Sequence, residues 1–194
     1  MLRFEIINAI AKRIGASRYL EIGVQNGVTF RAVDVPRKVG VDPDPQTPAT
    51  LHMTSDQFFA GLHNDSGFDL VFVDGLHTAA QVERDIDNAI WHLRPGGAVV
   101  VHDCSPPTLE YTRPDRCGDT YLGWIRARAR HPDRYFATVD DDLGCGVILP
   151  SWVSSPIAPM AGEPADYSAF SAERARWLNL ITVAEFLALL APAA

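Results

Sequence analysis

Apolar residues recur along the chain in two patterns that predict alternating helices and strands. The run 68–73 is almost uniformly apolar, which is typical of a strand covered on both faces of a sheet. Within 79–93, apolar residues return every three or four positions, which is typical of one face of a helix. The predicted strands are 19–22, 39–41, 68–73, 98–101, 135–139 and 144–149. The predicted helices are 4–14, 28–33, 55–62, 79–93, 119–129 and 183–190.

Polar and turn-forming residues set the predicted boundaries of these elements. Thr78 and Gln81 have the spacing of a capping box at the start of the fourth helix. The Pro-Gly-Gly sequence at 95–97 predicts the end of that helix. Three aspartates at 140–142 predict a solvated hairpin turn, and the Pro- and Ser-rich stretch 150–171 predicts a long irregular connection.

This order of elements predicts a single domain over 1–194 with a doubly wound, Rossmann-like α/β fold. We expect a mostly parallel sheet whose last two strands form an antiparallel hairpin, because the connection between them is short. In such sheets, ligands bind at the carboxyl ends of the strands. Four predicted strands are followed by polar residues, namely the segment 21–27, Asp42, Asp74 and Asp103. The sequence therefore predicts one site shared by these strand ends.

Composition narrows the possible partners. A chain of 194 residues that is 47% hydrophobic is long enough to bury a full core. It holds 17 Lys and Arg against 24 Asp and Glu, and the net charge of −7 disfavours nucleic acid and anionic membranes as partners. Charged residues interrupt the first fifteen positions, so we expect no signal peptide and a cytoplasmic location. The three cysteines form no CxxC pair, which indicates free thiols.

The end of the first strand suggests a cofactor site. Gly23 and Gly27 permit a tight turn and a close approach of a ligand to backbone N–H groups. On their own, the two glycines favour a plain strand-to-helix turn. Asp42 at the end of the next strand reverses this in favour of a cofactor, because an acid there suits ribose hydroxyls. The sequence has no G-x-G-x-x-G, P-loop or G-x-S-x-G motif, which argues against the usual dinucleotide enzymes, P-loop NTPases and α/β serine hydrolases.

Several segments in order resemble a known family. EIGVQNG, GVDPDP, TSDQFF and FDLVFVDGLH are followed by VERDI, LRPGG and VVHD. Over roughly 17–150, this order resembles class I S-adenosylmethionine-dependent methyltransferases, and it is most similar to a group of small bacterial members. The resemblance implies a seven-stranded sheet of order 3-2-1-4-5-7-6 and S-adenosylmethionine as cofactor. It implies that Asp42 holds the ribose and that Ser55 and Asp56 hold the adenine. The residues implied at or beside the methionine part are Glu21, Gly23, Gln25, Asn26, Gly27 and Asp74.

The chain departs from the family pattern after Asp42. The connection from Asp42 to Ser55 is short for the usual intervening helix. We therefore expect one face of the sheet to be thinly covered there. A homodimer contact over that face is a further expectation.

Asp74 is the residue we expect to serve proton removal from the acceptor. In related metal-dependent O-methyltransferases, a carboxylate at this strand end binds Mg²⁺ together with acidic groups of the next strand end, and Asp74 and Asp103 match two of those positions. Cys104 stands where a third Asp or Asn is expected and is a poor ligand for a hard ion, so the metal is left open. His77 or His102 is the alternative base, although a backbone hydrogen bond at a helix entry explains His77 equally well.

The function expected from these residues is methyl transfer to an oxygen of a small-molecule acceptor, such as a sugar or a secondary metabolite. A non-catalytic S-adenosylmethionine-binding module is the main alternative, and a nicotinamide-dependent oxidoreductase is less favoured because the glycine register is missing. The loop 104–117 is either a lid whose Tyr111, Arg113 and Arg116 contact the acceptor, or an ordinary surface loop.

Overall fold

A computed structural model describes residues 1–62 and 67–191 of the chain. Its strands form one seven-stranded sheet in the order β2-β1-β3-β4-β6-β5-β7. Among these strands, β6 alone runs antiparallel to its neighbours, which confirms a mostly parallel sheet and the β5–β6 hairpin. The strands are β1 (Arg18–Ile22), β2 (Arg37–Val41), β3 (Phe68–Val73), β4 (Leu93–Val101), β5 (Tyr135–Val139), β6 (Cys145–Leu149) and β7 (Leu180–Ile181).

The helices cover both faces of this sheet. The longest of those described, α4, has 13 residues, and within the described ranges we find no helix with the length and apolarity that crossing a bilayer requires. A 3-10 helix spans Leu109–Thr112. The α-helices are α1 (Arg3–Ile14), α2 (Val28–Ala32), α3 (Ser55–Ala60), α4 (Ala79–Trp91), α5 (Thr120–Arg130), α6 (Tyr167–Ala172), α7 (Arg174–Leu178) and α8 (Val183–Leu190).

The expected strand order, 3-2-1-4-5-7-6, is wrong in detail, because the observed order is 2-1-3-4-6-5-7. The family order places a further strand after β2, and in this chain that strand is reduced to a single parallel bridge between Val41 and Leu51. Prolines at 43 and 48 withhold backbone donors, and the connection is too short for a helix and a strand. The sheet gains its seventh strand elsewhere, because Leu180 and Ile181 pair with the outer edge of β5.

Three further boundaries differ from the sequence predictions. Strand β4 begins at Leu93 rather than Ala98, and the residues between them bulge out while Leu93 pairs with Phe68. The stretch 150–171 is not irregular throughout, since α6 begins at Tyr167. The predictions also missed α7 and β7, which are too short to show a hydrophobic period.

The core lies on both sides of the central strands. Leu70 and Phe72 face α1 and α8, whereas Val71 and Val73 face the layer that contains α4 and α5. All four side chains are buried, which explains why this strand is almost uniformly apolar in sequence. Each such side chain contributes about 1.5–3 kcal/mol through burial. The two packed layers hold the strands in place, so that their carboxyl ends meet at one edge.

Candidate functional site

A cavity of about 790 Å³ opens at the carboxyl edge of the sheet, where the sequence predicted a shared site. Its lining comes from the loops after β1 to β4, and also from α1 and the β5–β6 turn. This volume lies in the range typical of small-molecule and cofactor sites. Of the residues predicted for cofactor, metal or proton transfer, the structure places nine in the lining: Gly23, Gln25, Asp42, Ser55, Asp56, Asp74, His77, His102 and Asp103.

The loops after β1 and β2 are joined at the cavity wall. The backbone N–H of Gln25 donates to Asp42 Oδ2 at 2.9 Å, and the N–H of Asp44 donates to Asp42 Oδ1 at 2.9 Å. Gly23 has φ +83°, and a Cβ there would lie 2.0 Å from the carbonyl oxygen of Asp74. Glycine is therefore required where the loops after β1 and β3 pass each other. These contacts fix the Asp42 carboxylate in the lining.

Three residues predicted to contact a cofactor lie outside the cavity lining. Glu21 is buried and accepts a hydrogen bond from the Tyr19 hydroxyl at 2.6 Å. Burial raises the pKa of Glu21 to about 8, against the opposing effect of the Tyr19 hydrogen bond. Asn26 accepts from the backbone N–H of Val28 at 3.1 Å, and Gly27 adopts φ +73° just before α2. These contacts shape the loop between β1 and α2, and a direct contact of the three residues with a cofactor stays a prediction.

Gln81 organises the far end of the cavity and was missed as a site residue. Its Nε2 lies 3.1 Å from Ser55 Oγ, 3.1 Å from Asp56 Oδ1 and 3.0 Å from Asp85 Oδ1. The predicted capping box is wrong, because the side chain of Thr78 makes no cap hydrogen bond and Gln81 faces the cavity instead. Burial raises the pKa of Asp85 to about 6. The sequence did offer a signal for this contact, because residues four apart in a helix, such as Gln81 and Asp85, lie on the same face.

Two carboxylates and two imidazoles meet at the ends of β3 and β4. His77 Nε2 lies 3.4 Å from Asp74 Oδ1 and 3.5 Å from Asp103 Oδ2. On the other side, His102 Nδ1 lies 3.3 Å from Asp74 Oδ1 and 3.2 Å from Asp103 Oδ1. Each carboxylate is therefore bridged by both imidazoles, and the four groups form a closed acid–base cluster.

The charges in this cluster shift one another's pKa values. Burial raises the pKa of Asp74, but hydrogen bonds with His102 and His77 outweigh it and lower the pKa overall. The hydrogen bond with Asp74 raises the pKa of His77, and burial only partly opposes this. The second ring nitrogen of His77, Nδ1, contacts the backbone carbonyl of Arg116. A proton on Nδ1 therefore leaves Nε2 free to accept a second one beside two carboxylates.

Arg3 and Asp142 complete the cluster from distant parts of the chain, and sequence reasoning missed both. Burial lowers the pKa of His102, but hydrogen bonds with Asp103, Asp142 and Asp74 outweigh it and raise the pKa. Arg3 Nη1 lies 2.9 Å from His102 Nε2 and 3.1 Å from both carboxylate oxygens of Asp142. A guanidinium only donates hydrogen bonds, so the contact with Arg3 favours an unprotonated Nε2. The three carboxylates favour a second proton on the His102 ring, and Arg3 opposes it.

The aspartates at 140–142 do not form the uniformly solvated turn that was predicted. The Asp142 side chain is only 14% exposed, because it faces Arg3 and His102. Asp142 and Leu143 both adopt left-handed backbone conformations, with φ +46° and +60°, as does Asp103 with φ +61°. Such conformations cost side-chain-bearing residues free energy and cluster at functional sites. Here they place two carboxylates and one leucine in the cavity lining.

The loop 104–117 contributes part of the wall. Tyr111 and Arg116 line the cavity, and the Arg116 guanidinium lies 4.6 Å from the centre of the Tyr111 ring. Arg113 is outside the lining and pairs with Asp115 at 3.2 Å. The backbone of the loop is braced at Pro106, whose carbonyl accepts hydrogen bonds from the side chains of α6 and α7. Two of the three loop residues predicted to contact the acceptor therefore lie in the cavity lining, and whether the loop acts as a lid stays a prediction.

The donors near Asp74 and Asp103 do not suit Mg²⁺, which prefers oxygen ligands in an octahedral arrangement. The imidazole of His102 already bridges both carboxylates, at 3.3 and 3.2 Å. Where a third Asp or Asn ligand was expected, the chain has Cys104, whose buried thiol donates to the backbone carbonyls of Val101 and His102. Burial raises the pKa of this thiol well above its ordinary value, which disfavours the metal-binding thiolate.

Comparison with known proteins shows what part of the chain is similar to. Residues 20–104 match a family model described as a methyltransferase domain. The O-methyltransferase TomG from Streptomyces achromogenes, involved in tomaymycin synthesis and solved with S-adenosylmethionine, has a TM-score of 0.59 at 19% identity, over 76% of this chain and 79% of that one. An O-methyltransferase from Bacillus cereus in complex with S-adenosylhomocysteine has a TM-score of 0.55 at 14% identity, over 76% and 80%.

At these identities, the structural likeness shows the fold alone. No curated protein sequence matches the chain. The family match ends at residue 104, so it includes Asp42, Asp74 and His102 but neither Arg3 nor Asp142. The family match indicates a methyltransferase domain over residues 20–104, and the solved structures share its fold.

Proposed function

We propose that the chain is one methyltransferase domain that binds S-adenosylmethionine in the strand-end cavity and methylates a hydroxyl oxygen of a small-molecule acceptor. The observation that supports this most is the position of Asp42 and of the acid–base cluster in the lining of one cavity. The first suits paired ribose hydroxyls and the second suits removal of a hydroxyl proton. S-adenosylmethionine supplies the methyl group when it is bound.

The cofactor half of this cavity extends from Gln25 to Gln81. In the proposal, Asp42 accepts hydrogen bonds from the ribose, while Ser55 and Asp56 contact the adenine with Gln81 beside them. The methionine part then lies along Gln25 and near the end of β3. The lining aspartates favour a cationic ligand such as the sulfonium.

Proton removal is proposed to use His77 and Asp74. His77 accepts the acceptor's proton on Nε2, with its ring held through Nδ1 by the Arg116 carbonyl. Asp74 and Asp103 lie 3.4 and 3.5 Å from the same nitrogen and stabilise the imidazolium that forms. A positioned base of this kind contributes about 10²–10⁴-fold to a rate.

The reaction is proposed to proceed without Mg²⁺, because imidazoles lie beside both carboxylates and the Cys117 thiol donates to Asp103 Oδ1 at 3.4 Å, where oxygen ligands are expected. Turnover should therefore survive dialysis against EDTA, and added Mg²⁺ should not raise it. A loss of turnover in EDTA that Mg²⁺ restores would show that the metal is required.

The acceptor side of the cavity favours a molecule with an apolar face. Leu76 is 64% exposed and Leu143 is 37% exposed, and both line the cavity together with Tyr111. Exposed leucines in a cavity lining are stabilised when an apolar ligand covers them. This favours a hydroxyl compound with an apolar ring or chain over a sugar.

Ligand binding followed by an acceptor panel tests the proposal. At 100 times its dissociation constant, S-adenosylmethionine or S-adenosylhomocysteine should stabilise the fold by about 2.7 kcal/mol, whereas NAD should not. A panel of neutral hydroxyl compounds, from sugars to naphthols, should then show formation of S-adenosylhomocysteine with at least one apolar member. Binding without turnover across the panel favours a non-catalytic module, and a response to NAD alone contradicts the proposal.

A further inference from the structure

Arg3 reaches the cavity from the beginning of α1, more than seventy positions before the nearest member of the acid–base cluster. Its backbone N–H donates to Asp142 Oδ2 at 2.7 Å, and its Nη1 lies 3.1 Å from each oxygen of that carboxylate. The Arg3 side chain is 32% exposed and lines the cavity. The start of α1 is thus held on the β5–β6 turn, with a guanidinium directed at the site.

One contact of Arg3 decides where the proton of His102 lies. Arg3 Nη1 is 2.9 Å from His102 Nε2, and all guanidinium nitrogens are donors. Asp142 Oδ1 lies farther from the same nitrogen, at 3.5 Å, so we take the shorter guanidinium contact to make Nε2 the acceptor and to leave the ring proton on Nδ1. From there it is shared between Asp74 Oδ1 at 3.3 Å and Asp103 Oδ1 at 3.2 Å.

A second contact reaches Asp74 directly. Arg3 Nε lies 3.9 Å from Asp74 Oδ2, while His102 and His77 approach Oδ1 of the same carboxylate. Both oxygens of Asp74 therefore have a cationic or donor partner, and the plane of the carboxylate is restrained from two sides. A misplacement of a catalytic group by about 1 Å costs about 100-fold in rate.

We propose that Arg3 is a positioning residue of the reaction: through His102 and its own contact with Asp74, it holds the carboxylate that supports proton removal. This inference rests on the proposed function. Asp142 serves Arg3, since it anchors both the backbone and the guanidinium of that residue. The family match assigns a role to neither, because both lie outside residues 20–104.

The alternative is that Arg3 only docks α1, and the structure offers a way to separate the two roles. Ile6, Ile7 and Ile10 of α1 are fully buried against the sheet. Their burial keeps α1 docked without the guanidinium, at about 1.5–3 kcal/mol for each side chain. Variants at Arg3 should therefore fold.

The experiment compares Arg3→Met, Arg3→Lys and the control Arg13→Met. Arg13 lies in the last turn of the same helix with its guanidinium over Trp152, away from the cavity. Calorimetry should give S-adenosylhomocysteine affinities within about twofold of wild type for all three. With the best acceptor of the panel, Arg3→Met should lower kcat about 100-fold without raising KM for S-adenosylmethionine, Arg3→Lys should recover part of the loss, and Arg13→Met should match wild type.

Ring nitrogen shifts of His102 give a readout that needs no acceptor. By ¹⁵N NMR, wild type and Arg13→Met should show a protonated Nδ1 and an unprotonated Nε2, and Arg3→Met should gain protonation on Nε2. The inference about Arg3 is overturned if His102 of the wild type is protonated on Nε2. It is also overturned if Arg3→Met changes neither the protonation of His102 nor kcat. Neither result contradicts the proposed function. A wild type that does not bind S-adenosylhomocysteine overturns the proposed function, and this inference with it.

Discussion

The two halves of the cavity are built in different ways. The cofactor half comes from loops that follow consecutive strands, so that Gln25, Asp42 and Ser55 lie within about thirty positions of one another. The acceptor half gathers residues from the whole chain, from Arg3 to Leu143. A site made of neighbouring loops leaves a compact motif in the sequence, whereas one made of distant segments leaves none.

The halves also differ in how their polar groups are held. In the cofactor half, backbone N–H groups fix the key carboxylate, as Gln25 and Asp44 do for Asp42. In the acceptor half, side chains hold side chains, as the imidazoles do for Asp74 and Asp103. Substitutions should therefore act locally at Asp42. They should propagate through a network in the acceptor half and around Gln81, whose side chain contacts Ser55, Asp56 and Asp85.

The largest effect is expected for Asp74→Asn, which should separate the halves most clearly. Loss of the carboxylate removes the partner that stabilises the His77 imidazolium, so turnover should fall about 1,000-fold. Affinity for S-adenosylhomocysteine should stay within about threefold, which calorimetry measures. The exposed Asp34→Asn, outside the cavity, serves as the control. An active Asp74→Asn variant would show that proton removal occurs elsewhere.

Asp42→Ala should have the opposite signature. Removing a charged acceptor from the ribose costs about 1.5–3 kcal/mol, so affinity for S-adenosylhomocysteine should fall by roughly tenfold to 100-fold. At saturating S-adenosylmethionine, kcat should stay close to wild type. The neighbouring Asp44→Ala, whose carboxylate lies outside this cavity, should bind normally. Unchanged affinity in Asp42→Ala would remove this residue from the proposed ribose role.

Glu21 tests whether the acid behind the cofactor half is structural. Its folded-state pKa of about 8 lies above the ordinary value, so the folded state binds the proton more tightly than the unfolded state. Stability should therefore fall as pH rises from about 5 to 8, by at most about 1.4 kcal/mol per unit. Glu21→Gln removes this dependence. In urea unfolding, the free energy of unfolding of wild type should therefore fall by about 2 kcal/mol more between pH 6 and pH 8 than that of the variant.

An exposed glutamate supplies the control for that measurement. Glu173→Gln, at an exposed position just before α7, should follow the wild-type pH dependence. If wild type and Glu21→Gln lose stability in parallel between pH 6 and pH 8, Glu21 is ionised in the folded protein, and a direct electrostatic role toward a cationic cofactor becomes the better interpretation.

The smallest effect is expected for Leu76→Ala on the acceptor wall. Leu76 and Leu109 are both 64% exposed, but only Leu76 lines the cavity. Losing its contact with an apolar acceptor should raise KM for that acceptor about fivefold, equivalent to about 1 kcal/mol. Leu109→Ala should leave KM unchanged. Equal effects in both variants would contradict an apolar acceptor wall.

The sequence predicted most of the fold because its central strands and longer helices have clear hydrophobic patterns. Strand β3 and helix α4 begin within one residue of their predicted starts. The strand order implied by the family resemblance failed at the edges, where the family's strand after β2 is reduced to the bridge between Val41 and Leu51. Two residues such as those of β7 are too few to show a hydrophobic period, so the sequence pattern could not reveal this edge strand.

Prediction of the site failed where pairing is non-local. The strand-end rule and the family resemblance pointed to Asp42, Asp74 and Asp103, and all three line the cavity. Arg3 could not be found from its sequence position, because an arginine at the start of a helix is ordinary until the fold places it beside His102. The homodimer and the identity of the acceptor stay predictions.

A crystal structure of the protein with S-adenosylhomocysteine tests the central claim most directly, namely that the strand-end cavity holds the cofactor. We expect the ribose hydroxyls within hydrogen-bond distance of Asp42, the adenine beside Ser55 and Asp56, and the sulfur facing His77 and Asp74. Cofactor bound at another place, or an empty cavity at saturating S-adenosylhomocysteine, would contradict the account.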